Sequence, residues 1–345
     1  MNREALLRNT NAQIFYNTEE QTTKRFYDPG HAPCTLNPAP LMMPQTPPLA
    51  ALLTDHRYTA SKAPEGDWYL ANILKDDELL QKALTARGID SVRVDWADKS
   101  VNWRKFDCIV FRTTWDYFER FEEFTAWLKQ AEKVTRVIND PSLVWWNMDK
   151  HYLHDLHQKG IPVVPSAFIE KGSSLNLREM LDESGWSEAV IKPCVSGAAR
   201  HTYRVNRENA GEIQTTVEAL LKEEAFLLQP FMDEVVRTGE DTLMVIGGKF
   251  THAVRKRAKQ GDFRVQDDHG GTVHEYTPTQ DQIRLAEQAM AACSPEPLYG
   301  RVDMVRDNNG SWQVMELELI EPELWLRYHP PAAEAFAEVL VKQLR

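Results

Sequence analysis

Apolar positions along this chain recur with two different periods, and the switches between them mark out its elements. Residues 49–54 form an unbroken apolar run, the mark of a buried strand. Over 67–87 the apolar positions Leu70, Ile73, Leu74, Leu80, Ala83 and Leu84 line one face of a helix, and Gly88 supplies its stop. Strand patterns follow at 91–96 and 106–112. A helix at 118–133 places Phe121, Phe124, Trp127, Leu128 and Ala131 on one face, and a strand follows at 137–139. Strands alternating with helices predict a small parallel α/β unit ending near residue 140.

A second unit opens with a helix at 149–159, closed by Gly160. Strand 163–169, helix 175–183, strands 189–192 and 202–205, helix 210–223 and strand 226–229 follow. The last third is richer in strands: 242–246, a Gly247-Gly248 turn, then 250–257. Beyond a polar loop lies a helix at 279–292. A β-hairpin, 301–306 with 311–319, is joined by Asp307-Asn308-Asn309-Gly310, strong turn chemistry. An amphipathic helix at 332–344 ends the chain, and no internal repeat is visible. Residues 1–48 stand apart, because a polar stretch running into DPGHAPCTLNPAPLMMPQTPP denies both helix and central strand. They read as an extended arm without chemistry, and residues 1–40 are expected to be dispensable for catalysis. The expected map is an arm (1–48), an N-terminal α/β unit (49–140) and a larger unit (141–345).

Composition narrows the function classes. The 345 residues carry a net charge of -11, which argues against general affinity for nucleic acid or anionic membranes. No apolar run is long enough to span a bilayer, and MNREALLRNTNAQ lacks the apolar core of a secretory signal. The cysteines Cys34, Cys108, Cys194 and Cys293 form no CxxC pair, so reduced thiols in the cytoplasm are expected rather than disulfides or structural zinc. His151, His154 and His157 fall on one polar helix face and read as solvated. A homo-oligomer stays open.

The hairpin is the most informative segment. Glu316 and Glu318 are two apart on one strand and share a face, and strand pairing can bring Asp303 beside them. Three carboxylates on one face imply either a hard cation, Mg²⁺ beside a nucleotide, or an exposed acidic surface; flanking Val302, Met304, Val314, Met315 and Leu317 look like core and favour the metal. Lys192 ends the strand EAVIK before a loop of small residues, where it can reach phosphate oxygens; Lys150 opens a helix. Neither fits a Walker A motif. The basic run from His252 to Lys259, followed by Gly261-Asp262-Phe263-Arg264, has no interleaved aromatics, and alternation puts Arg255 and Arg257 on one strand face. That suits clamping a phosphoryl group better than nucleic acid.

Taken in order, these pieces resemble the ATP-grasp superfamily over roughly residues 49–345. AVRKRAKQGDFR and GRVDMV…WQVMELEL are similar to the ligases that add glutamate to a ribosomal protein. FRTTWDYFERFEEFTAWL, WNMDKHYLHDL and LELIEPELWLRYHP look like the branch with the cyclo-ligase of cycloserine biosynthesis and prokaryotic glutathione-synthetase-like proteins. The resemblance implies an α/β (α+β) ATP-grasp fold, with a lid over about residues 161–228 and an antiparallel C-terminal subdomain enclosing ATP. It implies Lys150 and Lys192 on the ATP phosphates, Gln229, Pro230, Phe231 and Met232 as the adenine hinge, and Glu240 or Glu234 on the ribose. Arg257 and Arg264 would face the transferring phosphoryl group, and Asp303, Glu316 and Glu318 would hold Mg²⁺. Many relatives have asparagine where Glu318 stands, and the loop after Lys192 has only Gly197 as glycine.

Strand ends in open α/β sheets border ligand crevices, which makes Arg112, Trp115 and Asp116 candidates for an acceptor pocket, with Arg301 and Arg327 as further carboxylate contacts. Each arginine also fits a structural ion pair. Cys194 has no evident histidine partner and is not read as a nucleophile. The expected reaction is ATP- and Mg²⁺-dependent ligation of a carboxylate to an amine through an acyl phosphate, on a small amino-acid-like substrate. Intramolecular ring closure and nucleotide binding without catalysis are the rivals.

Overall fold

The computed structural model describes residues 12–14, 47–265 and 270–345. The chain opens with strands Ala12–Ile14 (β1) and Leu49–Thr54 (β2), helix Trp68–Thr85 (α1), strands Asp90–Asp95 (β3) and Cys108–Thr113 (β4), helix Phe121–Ala131 (α2) and strand Arg136–Ile138 (β5). Helices Pro141–Asn147 (α3) and Tyr152–Gln158 (α4) lead to strand Ala167–Ile169 (β6), helix Leu177–Ser184 (α5), strands Glu188–Pro193 (β7) and Tyr203–Asn206 (β8), helix Ala210–Leu220 (α6) and strand Phe226–Pro230 (β9). Then come helix Asp233–Arg237 (α7), strands Glu240–Ile246 (β10), Lys249–Arg257 (β11) and Thr272–Tyr276 (β12), helix Gln280–Ala291 (α8), strands Tyr299–Arg306 (β13) and Trp312–Glu318 (β14), and helix Pro331–Leu344 (α9).

Three sheets result. The first, β3-β2-β4-β5, is parallel throughout, as expected from its alternating helices. The second, β1-β6-β9-β7-β8, and the third, β12-β11-β10-β13-β14, are antiparallel. Of the N-terminal arm, Ala12–Ile14 pairs with β6 as an edge strand and Pro48 O accepts from Asp90 N at 2.8 Å; residues 1–11 and 15–46 lie outside the described residues. None of the helices of the described residues is long and apolar enough to cross a membrane.

Four departures from the sequence reading have local causes. The strand expected at 163–169 shrinks to Ala167–Ile169, because Pro165 removes a ladder donor. Val163 and Val164 turn instead to the hairpin, with Val164 N donating to Val314 O at 3.0 Å. The polar loop contains β12, an edge strand whose mostly exposed residues carry no apolar alternation. Helix α3 starts on Pro141 at its first turn, with the Asp140 carboxylate accepting from Ser142 N. The five residues of α7 are too few to show a period.

Two buried amides hold the sheets in position. Asn139 Nδ2 donates to Tyr299 O and Leu319 O, both at 2.8 Å, so the end of the first sheet is joined to the third. Asn147 Nδ2 donates to Leu317 O while its Oδ1 accepts from Leu319 N, each at 2.8 Å. Apolar packing covers these joints: Leu80, Leu84, Phe336 and Leu340 pack between α1 and α9, and Phe111, Phe124 and Leu128 pack beneath the first sheet. Burying each such side chain contributes about 1.5–3 kcal/mol, and together they fix where β13 and β14 present their polar face.

Candidate active site

The β13–β14 ladder sets Asp303 opposite Glu316 and Arg301 opposite Glu318. Directly paired residues share a sheet face, so all four emerge together while Val302, Met304 and Leu317 enter the core. The turn that sets this register is stapled by Asp307, whose Oδ1 accepts from Asn309 N and Ser311 N at 2.9 and 2.8 Å. These four residues floor a cleft of about 550 Å³ between the sheets.

The expected convergence of Asp303, Glu316 and Glu318 holds for the face but not for a common ligand sphere. Each carboxylate leans on a cation. Asp303 Oδ2 accepts from Lys256 Nζ at 2.9 Å and from Arg301 at 2.8 Å, Glu316 meets Lys150 Nζ at 3.0 Å, and Glu318 pairs with Arg301. Burial, reinforced by the negative charges of Asp303 and Glu316, still pushes the Glu318 carboxyl up to about 8, against the pull of Arg301. Among the described residues, Asp149, His151 and Cys194 are the group whose ligand atoms lie within 4.8 Å of one another. His151, read as solvated, thus sits beside Cys194, with its Nδ1 2.6 Å from Asp149 Oδ1. Burial holds the Cys194 thiol well above its ordinary value, so it stays protonated rather than nucleophilic.

Lys192 lies at the end of β7 in the cleft, where none of the described residues holds its ammonium by a hydrogen bond or ion pair and burial lowers its pKa. Lys150 is buried and donates to Ser196 O at 2.7 Å; burial works against its charge, but Glu316, Glu318 and Glu321 together raise its pKa. Between them runs the loop 194–201, with Ala198, Ala199 and His201 in the left-handed region. Gly197 lies under Phe118, whose ring would be 2.5 Å from any added Cβ, so a side chain there cannot fit without displacing the ring. Arg200 pins the loop through Glu224 and Val195 O.

Val190, Phe231, Met232, Val265 and Met315 supply apolar walls to the cleft, alongside Gln229, Pro230 and Glu240. Gln229 Nε2 donates to Ser166 Oγ at 3.0 Å, which occupies its side chain and leaves backbone groups for any hinge role. Glu234, the other ribose candidate, accepts from Thr238 Oγ1 outside the lining.

The basic strand presents a different face from the one expected. Lys256, not Arg255 or Arg257, enters the cleft and pairs with Glu240 and Asp303. Arg255 pairs with Asp241 across the sheet, and Arg257 is exposed. Both faces of β11 are covered, so His252, Ala253 and Val254 are all buried and alternation could not tell cleft from core. Arg264 does line the cleft, steered by Asp262 at 2.7 Å.

Of the acceptor candidates, Trp115 and Arg301 line the cleft, and three others do not. Arg112 is buried and bound to Asp77 at 3.0 Å. Asp116 accepts from Trp96 Nε1 at 2.7 Å and from Arg120 at 2.9 Å. Arg327 is divided between Asp76 and Glu323. All three are structural ion pairs or hydrogen bonds, the alternative that charge alone left open. Arg57, Tyr58, Tyr69, Glu321, Glu323 and Trp325 complete this end of the cleft. Only Glu321 and Glu323 carried a visible signal, as acids directly after Glu318.

Known proteins share this arrangement. Residues 50–139 match the family model for the N-terminal domain of the D-cycloserine synthetase DcsG, and residues 149–321 match the RimK-like ATP-grasp domain. The chain is 35% identical over 286 residues to the cycloserine biosynthesis protein DcsG of Streptomyces lavendulae, spanning 77% of this chain and 93% of that protein. The crystal structure of D-cycloserine synthetase DcsG aligns with TM-score 0.75 at 32% identity, over 86% of this chain and all of that one (100%). A D-alanine–D-alanine ligase from Bacillus anthracis shares the fold at 15% identity and TM-score 0.61, over 86% of this chain and 97% of that one. With lysines, carboxylates and a small-residue loop facing one cleft between three sheets, and with relatives of this kind over most of its length, the chain belongs to the ATP-grasp family and is an ATP-dependent ligase.

Proposed function

We propose that this ligase joins a carboxylate to an amine on a small amino-acid-like substrate, through an acyl-phosphate intermediate. The observation that carries this reading is Lys192, an ammonium without partner among the described residues, in a cleft lined by carboxylates that can hold a metal–nucleotide. Lys192 and Lys150 bind the phosphates of ATP, and the 194–201 loop covers them. Backbone groups of Gln229 to Met232 read the adenine edge, and Glu240 takes the ribose. The carboxylates fit Mg²⁺ by their chemistry, because three hard oxygen donors share one face, and a bound ion would take the place of the cations that hold them here. Mg²⁺ held by Asp303, Glu316 and Glu318 supplies neutralisation of phosphate charge when bound.

The substrate carboxylate attacks the γ-phosphorus, ADP leaves, and the acyl phosphate remains. A neutral amine nitrogen then adds to the acyl carbon, the carbon–oxygen bond to phosphate breaks, and the nitrogen gives up a proton to the departing inorganic phosphate, while Arg301 and Arg264 offset the developing negative charge. The second sheet, closing as a lid over the cleft, excludes water that would otherwise hydrolyse the acyl phosphate.

A second reading is favoured by the likeness to D-cycloserine synthetase: nucleophile and carboxylate belong to one molecule, and the product is a ring. Mass spectrometry of products from ATP, Mg²⁺ and a panel of amino acids separates the two. A joined pair supports ligation between molecules, and a single acceptor lighter by one water supports ring closure. Nucleotide binding with no phosphate release from any member overturns both.

A further inference from the structure

A second group of chemically active side chains converges where α4 begins. Asp149 and His151 flank Lys150 at the entry to that helix, and Cys194 opens the loop after β7. Their ligand atoms all lie within 4.8 Å of one another, and none of the three residues lines the cleft. The two segments that carry them are held in register by backbone. Lys150 N donates to Cys194 O, and Cys194 N donates to Ala225 O, both at 2.9 Å.

The imidazole is fixed from both ends. Its Nδ1 lies 2.6 Å from Asp149 Oδ1, which also accepts from His151 N at 3.0 Å. Its Nε2 lies 3.2 Å from Glu170 Oε1, and the ring stacks on Phe168 with centroids 4.2 Å apart. A carboxylate on the outer nitrogen is the arrangement that orients metal-bound histidines. Cys194 is buried, whereas the Asp149 and His151 side chains are 44% and 35% exposed, so an ion can enter from one side. An ion pair accounts for Asp149 and His151 but gives the thiol beside them no role.

The donor set selects the ion. Mg²⁺ and Ca²⁺ take oxygen ligands, whereas Zn²⁺ takes sulfur, nitrogen and oxygen together. Three protein ligands leave a tetrahedral ion one position for water, unlike the four-ligand structural zinc that the cysteine spacing argues against. We propose that Asp149, His151 and Cys194 form a Zn²⁺ site, separate from the cleft carboxylates, with Glu170 as the outer partner of His151. Binding displaces two protons to solvent, one from His151 Nδ1 and one from the Cys194 thiol, which a coordinating metal deprotonates outright. The ion then ties the start of α4 to the loop that Lys150 holds through Ser196 O.

The test is titration of the full-length chain, freed of metal by a chelator, with Co²⁺ as the spectroscopic probe for Zn²⁺. One Co²⁺ per chain should give a near-ultraviolet thiolate-to-metal charge-transfer band. One equivalent of Zn²⁺ should erase that band, and excess Mg²⁺ should not. The inference is overturned if no thiolate band forms, or if Mg²⁺ removes it. Cys194→Ser should lose the band; persistence there would mean that another cysteine binds, and overturns the inference. Should Cys194→Ser fail to fold, variants on the exposed side decide. Glu170→Gln should weaken Co²⁺ binding about 10-fold, the low end of the range for such outer partners, and His151→Gln should weaken it further. Unchanged affinity in His151→Gln overturns the inference.

Discussion

Lys256 and Asp303 meet at 2.9 Å across two strands of the third sheet, both almost fully buried on its cleft face. Lys256 also holds Glu240, so one ammonium balances two buried acids. Removing one partner of such a cluster leaves uncompensated charge, typically costing about 3–5 kcal/mol. Lys256→Met should therefore lower the unfolding free energy by about that amount in denaturant titrations. Arg257→Ala, on the exposed neighbour, should change it by no more than about 0.5 kcal/mol. Equal effects of the two substitutions would mean that the strand faces are assigned the wrong way round.

Lys192→Ala should leave Tm near that of the parent, since its ammonium makes no hydrogen bond or ion pair with the described residues. Loss of one preorganised charge contact to a transferring phosphoryl group costs on the order of 10²-fold in rate. Single-turnover phosphate release measures it, and undiminished turnover would remove Lys192 from the phosphate site.

Arg112 and Trp115 stand three residues apart yet should fail in different assays. Arg112→Ala leaves buried Asp77 to Arg93 alone, at 2.7 Å, and should appear as a stability loss of roughly 1.5–3 kcal/mol, the loss of one hydrogen bond to a charged group. Trp115→Ala removes a cleft wall and should raise KM for the organic substrate with KM for ATP nearly unchanged. A folded, stable Arg112→Ala variant with raised substrate KM would return Arg112 to the acceptor pocket.

His252 gives the protein an acid-side weakness. Burial lowers its pKa to about 4, assisted by the charge of stacked His329 and opposed by the Nε2 hydrogen bond to Leu324 O at 2.9 Å. The unfolded chain protonates this imidazole near its ordinary value of about 6.5, so the folded value is the depressed one. Its contribution to stability is complete above that value and is lost as pH falls toward 4, about 3 kcal/mol at most. Denaturant midpoints between pH 7 and pH 4 should fall less steeply for His252→Gln. Parallel slopes for the two proteins would show that other groups set the acid response.

The sequence by itself determined most of the longer elements and the shared face of the hairpin carboxylates. Local rules sufficed there: α1 and α2 follow from helical apolar spacing, and the β13–β14 turn follows from Asp307 to Gly310. The shared face of Glu316 and Glu318 follows from a period of two, and the strand-end position of Lys192 from its apolar run. The family resemblance was legible for the same reason, since its motifs lie within single elements or one hairpin. What tertiary structure decided was the partner of each charge. Arg112 finds Asp77, 35 residues away in sequence, and Arg327 finds Asp76, 251 residues away, so both leave the acceptor pocket for structural roles. Lys256 displaces Arg257 because helices and cleft cover both sides of β11, and burial on two faces erases the alternation that would have shown which side faces the ligand. Tyr58, Tyr69 and Trp115 come from a short turn, the first turn of a helix and the loop after a strand, and only the packing of those elements around β2 and β4 makes them one wall. A carboxylate's partners are fixed by distance in three dimensions, and spacing along a chain records distance only within one element.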